Sequence, residues 1–359
     1  MNSSTDHATP TIAFYVHHHG SGHLMRAISI ATALQDMPIC FLGSHLHQYA
    51  DLIPDNVECI HLPMDIPAEN EHHREEKPLS FLHYAPTGIA GIRVRTAILT
   101  ETFMRNYPLL LVVDVSVEIA ILARLCGIPT VVVRQHGNRD DLPHRQAYES
   151  AELILAPFSA AFASPLEEDW ITAKTIYAGG FSKYSQVKRN SDCVEKSGNV
   201  AILIGQGGTS IDSEFIHFLA ASCKAYTFHI IGNITHTDQQ DHDHIKWYGN
   251  LADPLPVLSY CKVVIGNAGH NTVMEMADLN KRFICIPEER PFDEQQQKAA
   301  LLAAQGYARV IQPEDLKLLN WSQELAAAEN REPDWSGVTD RAALQNIADA
   351  IKHTIKKIF

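Results

Sequence analysis

Four short stretches of the chain carry residue types that could do chemistry. The first is His19-Gly20-Ser21-Gly22-His23-Leu24-Met25-Arg26, where two glycines make a turn and an imidazole and a guanidinium follow. A bare glycine loop suits phosphate, whereas a loop that also offers an imidazole suits proton transfer. An imidazole, with an ordinary pKa of ~6.5, keeps a neutral fraction near neutral pH and can take a proton from an attacking hydroxyl. This pattern predicts His23 as a general base. Asp114, after the apolar run Leu109–Val113, is the carboxylate that could orient its ring. The plainer readings are a tight turn at Gly20 and Gly22 and an ordinary strand-end acid.

The second stretch is Gly205-Gln206-Gly207-Gly208-Thr209-Ser210. Glycines let the backbone approach an oxyanion, and Thr209 and Ser210 offer hydroxyl donors. The third runs from Val264 to Ala277 and contains Gly269-His270-Asn271-Thr272 and then Glu275. A helix beginning near Asn271 or Thr272 would aim unpaired N–H groups and its dipole at a phosphate. Glu275, one turn on, could accept ribose hydroxyls. A capping box closed by Glu275 is the competing reading, and it explains the hydroxyl and the acid but not Gly-His-Asn together. The fourth stretch follows the apolar run Phe283–Ile286, where Glu294 and Gln295 could bind sugar hydroxyls. By itself that run reads as a solvated helix start.

These stretches need elements to hold them, and the hydrophobic pattern supplies those. Strand-like runs at Ile12–Val16, Ile39–Leu42, Leu109–Val113, Thr130–Val133 and Leu153–Ala156 alternate with helical segments, among them Ser116–Gly127. A second series comprises Val200–Ile204, Thr227–Ile231, Ile245–Tyr248, Val263–Ile265 and Phe283–Ile286. Alternation of this kind predicts an α/β protein with parallel sheets covered on both faces. Glycine turns follow the first strand of each half, where an open parallel sheet binds ligands. The polar stretch from about Phe181 to Asn199 reads as the linker. The tail from Thr339 to Phe359 reads as an amphipathic helix, with Leu344, Ile347, Ala348, Ile351 and Ile355 on one stripe.

Composition narrows the function. A chain of 359 residues suits two domains. The net charge of −13 argues against a general nucleic-acid binder. Seven cysteines without a CxxC pair fit a reducing cytoplasm. Residues Met1 to Pro10 lack the layout of a signal peptide, and no apolar run is long enough to span a bilayer. The clusters His17-His18-His19 and His242-Asp243-His244 lack ligand spacing, and neighbours on a strand point to opposite faces, so no metal is expected. A dinucleotide fingerprint would need a third glycine and an acid after Phe41-Leu42-Gly43-Ser44; both are missing, which weakens an oxidoreductase reading. Phe81 to Tyr107 mixes Arg93, Arg95 and Arg105 with apolar residues. Exposed, it could meet an anionic lipid surface, but the favoured reading is a helix with its apolar face on the sheet and its arginines in water.

In this order the motifs resemble the two-domain GT-B glycosyltransferases. They are most similar to the family, glycosyltransferase family 28, of the transferase that adds N-acetylglucosamine to the lipid-linked peptidoglycan precursor. The resemblance rests on Gly20–Arg26, on Gly207–Ser210 and above all on Gly266–Gly306, and it is weak from His45 to Phe103. It implies two Rossmann-like domains facing a cleft: an acceptor domain at 1–185, a nucleotide-sugar domain at 196–335, and a helix at 336–359 packing back on the first. It implies donor binding by Gly22, Gly207, Ser210 and Gly269 together with Gly208, Thr209, His270, Asn271 and Thr272 on the diphosphate, Glu275 on the ribose, and Glu294 and Gln295 on the sugar. No metal and no cofactor are implied. The donor is a nucleotide sugar, with UDP the expected base, and the acceptor a glycan, a lipid-linked sugar or a small molecule. The expected reaction is an inverting transfer in the cytoplasm, in cell-envelope or surface glycan synthesis, with peripheral contact at the inner membrane face left open. A nucleotide-sugar hydrolase on the same fold is the rival, and a non-catalytic sensor or partner subunit the remoter one. His17 and His18 have no role in that family pattern.

Overall fold

The computed structural model describes residues 9–18, 22–69, 71, 79–163, 167–185, 187, 195–205, 207–235 and 243–359. Outside the described residues lie His19, Gly20 and Ser21 of the first loop, Gln206, His242, and 186 and 188–194 of the expected linker.

The N-terminal sheet contains β1 (Thr11–Val16), β2 (Ile39–Gly43), β3 (Val57–His61), β4 (Leu109–Asp114), β5 (Thr130–Val133), β6 (Leu153–Ala156) and β7 (Thr175–Tyr177). Its order is β3-β2-β1-β4-β5-β6-β7, with every pair parallel. Helices α1 (Gly22–Ala33), α2 (Ala90–Arg105), α3 (Val117–Leu125), α4 (Leu142–Ser150) and α5 (Asp169–Lys174) cover it. The central strands are buried on both faces, which is why β1, β4 and β5 read as continuous apolar runs.

The C-terminal sheet contains β8 (Lys196–Leu203), β9 (Thr227–Ile231), β10 (Ile245–Gly249), β11 (Cys261–Asn267), β12 (Arg282–Ile286) and β13 (Ala308–Val310). Its order is β10-β9-β8-β11-β12-β13, again parallel throughout. Its helices are α6 (Ser213–Ser222), α7 (Leu255–Tyr260), α8 (His270–Asp278), α9 (Glu294–Ala304) and α10 (Trp321–Asn330). Strand order reverses between β1 and β4 in one sheet and between β8 and β11 in the other. Chains leaving these neighbouring strands diverge to opposite faces, and each sheet thereby opens a crevice at its carboxyl end.

Three strands escape the hydrophobic pattern. β3 and β13 are edge strands, β7 is the far edge of the first sheet, and all three are partly exposed. A half-exposed strand such as Val57-Glu58-Cys59-Ile60-His61 shows no clean apolar run.

The last helix, α11 (Ala343–Ile358), leaves the C-terminal sheet and packs on the first domain. Ile347, Ala348, Ile351 and Ile355 join the cluster that holds Leu24, Ile30 and Leu34, and Lys352 reaches Asp36 at 2.8 Å. Each isoleucine fully buried there stabilises the arrangement by about 1.5–3 kcal/mol, so the tail ties the two domains together. Phe158 and Phe162, after β6, add a second tie by packing into the C-terminal core, where Phe162 stacks on Tyr307.

Candidate active site

The two crevices face each other. Helix α1 starts at Gly22 and helix α8 at His270, and the side-chain nitrogen Nδ2 of Asn271 lies 3.4 Å from where a Cβ on Gly22 would stand. Two helix N-termini, one from each domain, therefore meet across the cleft, and both favour anionic groups.

On the N-terminal side, His23 Nδ1 lies 3.2 Å from Asp114 Oδ2, and Arg26 Nε lies 3.6 Å from the same oxygen. Gln135 donates to Asp114 Oδ1 at 3.2 Å. Burial by itself would push the Asp114 carboxyl up, but Arg26, His23 and the bond from Gln135 outweigh it and hold the group at about 2. A permanent carboxylate against Nδ1 keeps the proton on that nitrogen and leaves Nε2 as the basic one. The strand argument about His17 and His18 does not apply, because β1 ends at Val16. Past the strand end the two rings stack at 4.6 Å, and His17 stands edge-on to His23 at 5.9 Å.

On the C-terminal side the cap of α8 is Gly269, and the helix begins one residue earlier than the sequence suggests. Neither Asn271 nor Thr272 is the cap, so no capping box forms and His270, Asn271 and Thr272 occupy the first turn, where N–H groups lack intrahelical partners. Burial, with Arg26, Lys298, His136 and His23 around it, drives the His270 imidazole well below its ordinary value. His270 is therefore neutral at pH 7 and able to donate one N–H without adding charge.

Thr209 and Ser210 do not point freely into the crevice. Glu288 Oε1 accepts from Thr209 Oγ1 at 3.1 Å, Ser210 N at 2.6 Å, Ser210 Oγ at 2.7 Å and Asn267 Nδ2 at 2.9 Å. This buried carboxylate fastens the glycine turn to the end of β11. In the same turn Gly208 stands at φ +84°, and Arg290 donates to its carbonyl at 2.6 Å. Glu275 faces Lys183 Nζ at 3.5 Å, and burial raises its carboxyl despite that lysine.

Glu294 and Gln295 open α9. Gln295 Oε1 accepts from the backbone N–H of Glu288 at 3.0 Å and so braces the Glu288 hub. Glu294 lies 3.3 Å from Lys298 Nζ and 3.7 Å from Arg139 Nη2, and these cations hold it below the ordinary range although burial pushes the other way.

Sequence reasoning singled out none of Lys298, Glu288, Lys183, Gln135, His136 or Arg139. A usable signal existed for three of them: Gln135, His136 and Arg139 follow the carboxyl end of β5, where an open sheet places ligand contacts. His136 is buried against Phe158, 6.2 Å from the His270 ring, and its Nε2 has no hydrogen-bond partner among the described residues.

Arg95 corrects an expectation. On α2, Leu99 and Phe103 do pack on the sheet, but Arg95 is buried rather than in water. It donates to Tyr15 Oη, to Ser44 Oγ at 2.7 Å and to the Pro63 carbonyl at 2.8 Å, and pairs with Asp65 at 3.5 Å. Beside this network lies a cavity of about 320 Å³ whose walls include Leu82, Tyr84, Ile92 and Leu122, with His17 at its rim.

Among the described residues, His83, Asp141 and His144 group as metal ligands would. Arg139 Nη1, which can only donate, lies 2.9 Å from His144 Nε2, so the His144 proton sits on Nδ1 facing Asp141 at 2.7 Å. With both ring nitrogens engaged, the trio forms a hydrogen-bond relay. His144, pushed by burial to about 4, His229, likewise about 4, and the lowered His136 and His270 have a shared consequence. Unfolded, each ring takes a proton near 6.5; folded, only at lower pH, so stability is full above pH ~6.5 and falls as pH drops through that window. Thermal melts will show Tm declining from about pH 6.5 downward, and a flat Tm down to about pH 5 would contradict this.

Residues 211–354 match the sequence profile of the Glycosyltransferase family 28 C-terminal domain. The UDP-N-acetylglucosamine–N-acetylmuramyl-(pentapeptide) pyrophosphoryl-undecaprenol N-acetylglucosamine transferase of Pasteurella multocida (strain Pm70) is 24% identical over 309 residues, 82% of each chain. Among solved structures, Acinetobacter baumannii MurG superposes with a TM-score of 0.60 at 16% identity, covering 96% of this chain and 100% of the other. UGT89C1 of Arabidopsis thaliana, complexed with UDP-L-rhamnose, gives 0.62 at 13%, covering 98% and 95%.

Proposed function

We propose that this chain, a glycosyltransferase with the GT-B fold, moves a hexosyl or N-acetylhexosaminyl group from a UDP-sugar to an acceptor hydroxyl with inversion. The observation that carries this reading is the 3.2 Å contact between His23 Nδ1 and a permanently ionised Asp114, set opposite the N-terminus of α8. His23 Nε2 takes the acceptor's hydroxyl proton as its oxygen attacks the anomeric carbon. The bond from that carbon to the phosphate oxygen breaks, and the departing diphosphate carries away the electron pair. Its charge meets the α8 first turn, with Arg26 and Lys298 close by. One displacement by one acceptor inverts the anomeric centre. Gly22, Gly207, Gly208, Gly269, His270, Asn271 and Thr272 surround the diphosphate in this reading, with Glu275 on the ribose and Glu294 on the sugar. Thr209, Ser210 and Gln295 act through the Glu288 hub. Protein cations and helix N–H groups neutralise the leaving group, so the reaction is metal-independent.

The cavity beside Tyr15, Arg95 and Asp65 supports an acceptor with an apolar body. The lipid-linked acceptor in the Pasteurella relative's name points the same way, toward glycans of the cell envelope. The test is calorimetry against nucleoside diphosphates, then UDP release from UDP-glucose and UDP-N-acetylglucosamine with and without acceptor alcohols. UDP binding with slow release in the absence of acceptor is the expected result. Fast release without acceptor would make the protein a hydrolase, and no nucleotide binding would remove the reading altogether.

A further inference from the structure

Asn138 and Arg139 belong to the N-terminal domain, where the Arg139 guanidinium bonds to Gln135, His136 and His144, yet both residues also reach across to the C-terminal segment that carries Glu294. The Asn138 N–H donates to the Phe292 carbonyl at 2.6 Å, its side-chain amide donates to Asp293 Oδ2 at 2.8 Å, and Gln297 donates to its Oδ1. The Arg139 guanidinium stands 5.0 Å over the Phe292 ring while reaching Glu294 at 3.7 Å. The Phe292 ring also meets His83 at 5.0 Å and His144 at 4.8 Å, both from the N-terminal domain. Gly137 permits this approach, since a Cβ there would fall 2.5 Å from the Phe292 carbonyl oxygen.

The loop needs such support. Phe292 and Asp293 are consecutive non-glycine residues in the left-handed region, at φ +61° and +55°. Such a backbone conformation is disfavoured for residues with a side chain and persists only where its surroundings hold it. Here the surroundings are largely the other domain. Cation–π and hydrogen-bond contacts of this kind are of the size needed to offset that cost.

We propose that Asn138 and Arg139, with the socket of His83 and His144 around Phe292, are a positioning set that aims Glu294 at the donor sugar when the two domains are apposed. This rests on the donor reading given above for Glu294. In that reading all the nucleotide contacts but Gly22 come from the C-terminal domain's own turns, so the set governs mainly the sugar's contribution to binding and orientation rather than the grip on UDP. A sugar nucleotide is then held for reaction only where the acceptor domain is already in place, which disfavours loss of the sugar to water.

The test uses the full chain with UDP, UDP-glucose and UDP-N-acetylglucosamine as probes. Phe292→Ala and Asn138→Ala should leave UDP affinity within about twofold and raise KM for the UDP-sugar about tenfold, the equivalent of ~1.4 kcal/mol. The same variants should lower kcat and increase UDP release to water relative to transfer. Phe292→Tyr keeps the ring in its socket and should restore wild-type values. Wild-type KM and kcat in both alanine variants would overturn the proposal. So would an equal loss of UDP and UDP-sugar affinity, which would mean the contacts serve only the fold. If the wild type binds none of the three probes, the donor reading itself fails and this inference falls with it.

Discussion

Replacing His23 by alanine should lower transfer turnover by about two to four orders of magnitude, the range for removing a positioned general base. The affinity for UDP should stay within a few-fold, because in the proposed mechanism the imidazole acts on the acceptor and not on the diphosphate. Burial places the side chain at the helix mouth without making it part of a hydrophobic cluster, so the variant should fold. Asp114→Asn offers a graded companion: the amide keeps the shape but removes the charge that holds the Nδ1 proton, and it also deprives Arg26 of its partner at 3.6 Å. Turnover should fall there too. Steady-state kinetics alongside calorimetry separate the two effects, and wild-type turnover in His23→Ala would take this residue out of the mechanism.

Lys298→Met should be the most destabilising of the single changes considered. Lys298 is fully buried, and its ammonium lies 3.3 Å from Glu294. Removing one member of a buried pair strands the other charge, at a cost of about 3–5 kcal/mol in well-enclosed cases. Arg139 remains 3.7 Å from Glu294 and the carboxylate is partly exposed, which reduces the expected loss to about 2–4 kcal/mol. Adding Glu294→Gln to Lys298→Met should recover at least about half of it, since the stranded charge is then gone. Denaturant and thermal melts of the three variants measure this directly. A Lys298→Met protein as stable as the wild type would show that the pair carries no stabilising coupling.

Much of the fold is legible in the residues alone because buried parallel strands are written as apolar runs and their turns as glycines. Ile12–Val16, Leu109–Val113 and Val263–Ile265 have no other comfortable place than a covered sheet, and the stripe on the tail helix needs a surface to cover it. The half-exposed edge strands β3, β7 and β13 leave no such mark. In the site, local pattern reached the residues at strand ends and helix starts, among them His23, Asp114, His270 and Asn271. It missed what depends on partners distant in the chain. Thr209 and Ser210 look like free hydroxyl donors until Glu288 is seen to hold them, 79 and 78 residues away. Arg95 looks solvated until Tyr15, Ser44 and Pro63 close around it.

By itself, then, the sequence determined the α/β architecture, the glycine turns and the imidazole at the first helix mouth, because these are set by periodicity and by residues close in the chain. Only the tertiary structure decided that His23 meets Asp114, that Lys298 and Arg139 share Glu294, and that Phe292 lodges in the opposite domain. Those contacts join charges and rings from separate strands and separate domains. Their energies come from burial and from distances of a few ångströms, neither of which exists until the two sheets are folded and apposed.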